Sequence, residues 1–194
     1  MKKLFILTLL LCCVAGAARA QSVSVKTNLL WGGYTQTPNL GIEFDLGGRK
    51  TLDVGIGYNP WNLEASEGES NKKLVHLMGN VELRHWLCRK FSGHFFGVHV
   101  LGAQYNIAEY ELPLLLGERS RDFRFEGIAV GAGVSWGYQF ILGMKWNLEV
   151  TVGAGYIHLD YDKFESIPGG GKLGSAKRDY MGPTKAGVTL MYVF

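Results

Sequence analysis

The sequence predicts an all-β protein, a closed up-and-down eight-stranded antiparallel transmembrane β-barrel, on three observations. Eight segments alternate large apolar residues with small or polar ones, the period of a strand with one apolar face. The connections between them are alternately short and longer, as periplasmic turns and outer loops are in outer-membrane barrels. The chain opens with an export leader and then continues rich in Gly and aromatics with one cysteine, Cys88.

The chain has 194 residues, enough for one domain. Residues 1–20 read as a signal peptide and 21–194 as the barrel. Lys2 and Lys3 are the positive n-region, Leu4 to Val14 the apolar run, and Ala18-Arg19-Ala20 an A-x-A cleavage site. The run is too short for a membrane anchor, which needs about 20 residues. Cys12 lies inside it without a small residue before it, which argues against a lipoprotein. Lys2, Lys3 and Arg19 account for the whole formal charge of +3. The remainder is formally neutral, so no nucleic-acid partner is expected. Cys88 alone remains, which excludes an intrachain disulfide and a cysteine-pair metal site.

The first segment, Ser22 to Trp31, sets Val23, Val25, Thr27, Leu29 and Trp31 against Ser24, Lys26 and Asn28. The second, Asn39 to Leu46, sets Leu40, Ile42, Phe44 and Leu46 against Gly41, Glu43 and Asp45. The third, Thr51 to Asn59, sets Leu52, Val54, Ile56 and Tyr58 against Asp53, Gly55, Gly57 and Asn59. The fourth, Leu74 to Leu87, sets Val75, Leu77, Val81, Leu83 and Leu87 against His76, Asn80, Glu82 and Arg84. The fifth, His94 to Tyr105, is less regular. The sixth, Arg124 to Phe140, alternates Ile128, Val130, Ala132, Val134, Trp136 and Tyr138 with Gly and small residues. The seventh runs Lys145 to His158 and the eighth Lys185 to Phe194. A tilted transmembrane strand needs about 9–11 residues, which most of these supply.

Short connections are expected at Gly47–Lys50, Cys88–Gly93 and Ile141–Met144. Longer ones are expected at Asn62–Lys73, Asn106–Phe123 and Leu159–Tyr180. Threaded this way, the aromatics fall into two belts at the headgroup levels. Trp31, Tyr58, Trp61, Tyr105 and Tyr156 form the outer belt. Trp86, Tyr138, Phe140, Trp146, Tyr192 and Phe194 form the periplasmic one. The last ten residues alternate to a terminal Phe194. This resembles the strand that the outer-membrane assembly machinery reads by edge pairing.

Several stretches resemble one family. They are Lys26-Thr27-Asn28-Leu29-Leu30-Trp31, Gly57-Tyr58-Asn59-Pro60-Trp61, Glu82-Leu83-Arg84-His85-Trp86-Leu87-Cys88 and Gly93-His94-Phe95-Phe96-Gly97-Val98-His99. Gly131-Ala132-Gly133-Val134-Ser135-Trp136-Gly137-Tyr138 and Trp146-Asn147-Leu148-Glu149 complete the set. Together they are similar to the domain of unknown function thirty-five seventy-five, small exported proteins of Gram-negative gut-type and oral bacteria. The resemblance implies an outer-membrane barrel, in some cases encoded near fimbrial proteins. It implies no reaction, cofactor or catalytic residue.

The lumen is expected to receive Lys26, Glu43, Asp45, Asp53, Glu82, Arg84 and Glu149, with inward glycines making room for them. Buried charges persist when paired and hydrogen-bonded. An eight-stranded interior is just wide enough for side chains, which favours a structural plug over a narrow solute pore. An acyl-transfer enzyme acting on lipid would need a nucleophile, base and orienter together. His76, His158, Ser66, Ser70, Ser166, Asp160 and Asp162 offer no diagnostic spacing. Glu64, Glu67 and Glu69 read as a solvated acidic tip rather than a metal site. Lys172, Lys177 and Arg178 could meet lipopolysaccharide phosphates. No cofactor or metal is expected. The expected partners are outer-membrane lipid, lipopolysaccharide, the assembly machinery, and envelope or fimbrial proteins. The expected role is structural or loop-displaying.

Overall fold

The computed structural model describes residues 23–60, 73–110, 122–166 and 170–194. The leader, Trp61, Ser66, Ser70, Glu64, Glu67 and Glu69 lie outside the described residues. Among those described, the chain forms eight strands and one short helix: β1 (Val23–Asn28), α1 (Leu29–Tyr34), β2 (Asn39–Asp45), β3 (Lys50–Asn59), β4 (Lys73–Trp86), β5 (Gly93–Ala108), β6 (Phe123–Ile141), β7 (Trp146–Glu165) and β8 (Lys172–Val193). Each strand pairs antiparallel with the next, and β8 pairs antiparallel with β1, so the order closes into a ring. No described helix is long and apolar enough to cross a membrane, which says nothing of strands.

The alternation read from the sequence sorts side chains between the two faces of the ring. Val98 and Val134 point outward and are 57% and 62% exposed. Their neighbours Gly97, His99 and Ser135 point inward. Glu43, Asp53, Glu82, Arg84 and Glu149 occupy buried inward positions on four strands.

The short turns fall where the glycines and polar residues put them. Gly47 and Gly48 adopt φ of 88° and 59°, a conformation a Cβ disfavours, and Asp45 Oδ1 accepts from Gly47 N at 2.6 Å. Between β4 and β5, Phe91 itself takes φ 59°. Its ring is buried with Trp86, Phe95 and Met191, closing one end of the lumen.

Three expectations are corrected. The first segment is strand only to Asn28. Asn28 still pairs with Thr189, but its side chain accepts from Leu30 N at 3.0 Å and so caps α1, which carries the chain out of the ladder from Leu29. Trp31 therefore sits on a helix and turns inward, its ring against Gly57. Tyr105 and Trp86 are also inward and buried, so all three leave the proposed belts. Tyr58, Tyr156, Phe140, Trp146 and Phe194 do face outward and are exposed, and outward Tyr138 packs on Phe140 and Tyr192 on Trp146.

The expected loop Leu159–Tyr180 is largely strand, because β7 continues to Glu165 and β8 starts at Lys172. Cross-strand ion pairs on this hairpin hold polar residues that sequence periodicity assigned to a loop. Lys172 pairs with Asp162 at 2.7 Å and Lys177 with Asp160 at 3.2 Å. Strand length rises from 6 residues in β1 to 22 in β8, so one side of the ring stands far higher than the other.

Candidate functional site

The lumen has two tiers. The lower one is built around Arg84, whose fully buried guanidinium comes from an inward position of β4. Nη1 donates to Glu43 at 2.9 Å and to Glu149 at 2.7 Å. Nη2 donates to Asp53 at 2.9 Å and Glu82 at 3.0 Å. A guanidinium offers five N–H groups in a fixed plane, so one Arg can address carboxylates from several strands at once. Its face rests on the Phe95 ring, with Cζ 4.4 Å from the centroid.

Lys26, from β1, pairs with Glu43 at 2.8 Å and Asp53 at 3.0 Å. Hydroxyls complete the set: Thr51 donates to Glu43, Ser135 to Glu82, and Thr151 to Glu149 at 2.7 Å. Trp86 Nε1 donates to Thr51 Oγ1 at 2.9 Å, tying the charged layer to the aromatic closure. Lys26, Glu43, Asp53, Glu82, Arg84 and Glu149 are thus brought into one network spanning the ring. Asp45 is not among them. It lies at the β2–β3 turn, beside Lys90.

One member was missed. Lys185 pairs with Glu82 and lies 3.7 Å from Asp53. It lies on the inward phase of β8 with Gly187, Thr189 and Met191, and just beyond it the β7–β8 register shifts between Gly153 and Ala154. Gly153 faces Lys185 and Ala154 faces Pro183, leaving Thr184 unmatched. Such a bulge turns two successive side chains to one face. Thr184 Oγ1 accordingly meets His99 Nε2 at 2.9 Å. The alternation that turns Gly187 and Thr189 inward was the available sign for Lys185, and Pro183, unable to donate to a ladder, was the sign for the bulge.

The upper tier is apolar, against the expectation of small and polar residues throughout. Tyr105, Ile107, Phe125, Ala129, Ile157 and Leu159 form a buried cluster on the inner faces of β5, β6 and β7. The described residues enclose a cavity of about 570 Å³ beside it, with Trp31, His76 and Asn80 on the opposite side. The Tyr105 hydroxyl and His99 Nδ1 are buried there with no hydrogen-bond partner among the described residues.

The residues weighed for acyl transfer are dispersed. His76 is inside, 3.2 Å from the Thr37 hydroxyl. His158 is on the β7–β8 hairpin, where its Nδ1 and the Tyr156 hydroxyl meet Asp179 Oδ1 at 2.7 and 2.6 Å. Ser166 donates to Glu109. Asp162 accepts from Lys172 and Ser175, and these hydrogen bonds hold its carboxyl below the usual aspartate range. Among the described residues no group of His, Cys, Asp and Glu is arranged to hold a metal ion.

No curated protein and no solved structure matches the chain. The family described as Protein of unknown function (DUF3575) matches residues 5–194, nearly the whole sequence, and the chain therefore belongs to that family.

Proposed function

We propose that the protein is an outer-membrane β-barrel, exported by its leader, that anchors in the membrane and displays its raised hairpin and outer loops to partners in the cell envelope. The observation that carries this reading is the inversion of the usual pattern. Val, Leu and Ile are exposed around the outside of the ring while ionised groups lie buried inside it. In water that arrangement leaves a large apolar surface unburied, whereas in lipid it satisfies both faces. The α1 residues Leu29 and Leu30 are exposed on the surface too and extend the apolar surface where β1 stops.

The charged layer and the aromatic closure beneath it favour a sealed lumen over a solute channel. The raised hairpin favours a display role, with fimbrial or other envelope proteins and lipopolysaccharide as candidate partners. Lys172 and Lys177 are already paired to Asp162 and Asp160, which leaves the hairpin less cationic than its sequence suggests.

The test is fractionation followed by gel migration of detergent-extracted protein with and without boiling, and single-channel recording in planar bilayers. Recovery in the outer membrane, faster migration unboiled and no conductance are expected. Release as a freely soluble periplasmic protein would refute the membrane reading, and steady conductance would refute the sealed lumen. A deletion strain examined for fimbrial assembly and envelope integrity tests the display role.

A further inference from the structure

We propose that the upper lumen is a binding site for a single unbranched alkyl chain with a hydrogen-bond-accepting head. This goes beyond the anchor reading and does not depend on it. The cavity of about 570 Å³ lies within the range of small-molecule pockets, about 300–1,000 Å³. It is long and narrow. From His99 to Tyr105 the β5 wall runs six residues, about 20 Å along the strand. The ring is only about wide enough for side chains. A fused-ring ligand needs width that this shape lacks, whereas an extended chain needs length.

The wall chemistry points the same way. Leu101, Ala103 and Tyr105 occupy successive inward positions of β5, and Ala129 and Ile157 face them from β6 and β7. The two alanines leave space where larger residues would fill the lumen.

The polar groups of the wall set what the ligand head must be. Lys185, the charged residue that lines the chamber, is already paired with Glu82. The Tyr105 hydroxyl lines the chamber, is buried, and has no hydrogen-bond partner among the described residues. It is the donor for an acceptor on the ligand head.

A carboxylate or a phosphate head would satisfy this chemistry, from a free fatty acid or from a phospholipid acyl chain. The test is photolabelling of the full protein in lipid nanodiscs. Myristic acid carrying a terminal diazirine is used in one arm and a phospholipid bearing the same chain in the other, and the adducts are mapped by peptide sequencing. Saturable adducts are expected at Leu101, Ala103 and Ile157, displaced by unlabelled myristic acid. Labelling by the free acid alone identifies a fatty-acid site, and labelling in both arms a lipid-tail site. Ala129→Trp should cut the inner adducts roughly tenfold, and Ala103→Phe serves where that variant fails to fold. Adducts confined to the outward residues Val100 and Val130, or inner adducts indifferent to the blocking variants, would overturn the proposal. Absence of adducts at the outward positions would instead count against membrane insertion and leave this site standing.

Discussion

Replacing Arg84 with Met removes the centre of the charged layer while keeping an unbranched side chain over Phe95. Four carboxylates then face Lys26 and Lys185 alone. Glu149 loses both of its Arg84 hydrogen bonds, at 2.7 and 3.0 Å, and among the described residues keeps the one from Thr151. Removing one partner of a buried ion pair costs about 3–5 kcal/mol, because the group left behind remains desolvated. With a urea slope of about 2 kcal/mol per molar, the unfolding midpoint falls by about 2 M. The assay is urea titration of protein refolded in lipid vesicles, read by tryptophan emission and by unboiled gel migration. The double variant Arg84→Met with Glu149→Gln should recover about 1–3 kcal/mol relative to the sum of the single losses, since the two groups are in direct contact. An unchanged midpoint in Arg84→Met, or strict additivity in the double variant, would refute the view that Arg84 holds the layer together.

Two further outcomes follow from the same geometry. Asp162 is held below its ordinary value by hydrogen bonds from Lys172 and Ser175, and Asp179 by those from Tyr156 and His158. Their contribution is therefore complete above about pH 3.8 and is lost as pH falls through the lower folded values. Hydrogen exchange should show the hairpin of β7 and β8 losing protection in strong acid while β5 and β6 near the charged layer keep theirs. Unchanged hairpin protection down to pH ~2 would contradict this. Trp86→Phe deletes the donor to Thr51 and leaves a void among Phe91, Phe95 and Met191, costing about 1–3 kcal/mol in the same urea assay.

The lower tier was legible in the sequence because it obeys one rule. Lys26, Glu43, Asp53, Glu82, Arg84 and Glu149 all sit on the polar phase of a period-2 pattern, and that phase fixes their face before any partner is known. The upper tier was not legible for the same reason. In Val100-Leu101-Gly102-Ala103 both phases are apolar or small, so alternation carries no information about which side meets the lumen. Trp31 and Lys185 escaped by different routes. Trp31 follows Asn28, whose cap starts a helix and breaks the period. Lys185 obeys the same alternation as Gly187 and Thr189 but stands first in the eighth segment, next to the bulge at Thr184 where the regular period ends. Trp86 and Tyr105 lay on the inward phase throughout. Their aromatic character suggested a lipid interface, but Trp86 finds its partner in Thr51 and Tyr105 is left facing the chamber.

The inward glycines divide into two groups with different reasons to be glycine, and the difference can be tested. A Cβ at Gly97 would collide with the carboxylate of Glu82 and the hydroxyl of Ser135, both side-chain atoms of the charged layer. A Cβ at Gly155 would instead meet the backbone of Ala132 and Gly133 on the neighbouring strand. The first glycine makes room for a long side chain, and the second permits two strands to curve closely against each other. Gly97→Ala and Gly155→Ala should each cost about 1–3 kcal/mol through overpacking. Only the first is relieved by shortening a neighbour. Gly97→Ala combined with Ser135→Ala should regain part of its loss, whereas no side-chain truncation across from Gly155 removes a backbone obstacle. Gly79→Ala is the control, because its added Cβ would find only ordinary contact, 3.6 Å from the Gly55 carbonyl. If Gly79→Ala were as damaging as Gly97→Ala, the losses would reflect strand flexibility at glycine in general. The packing of the charged layer against β5 would then not be what selects glycine at position 97.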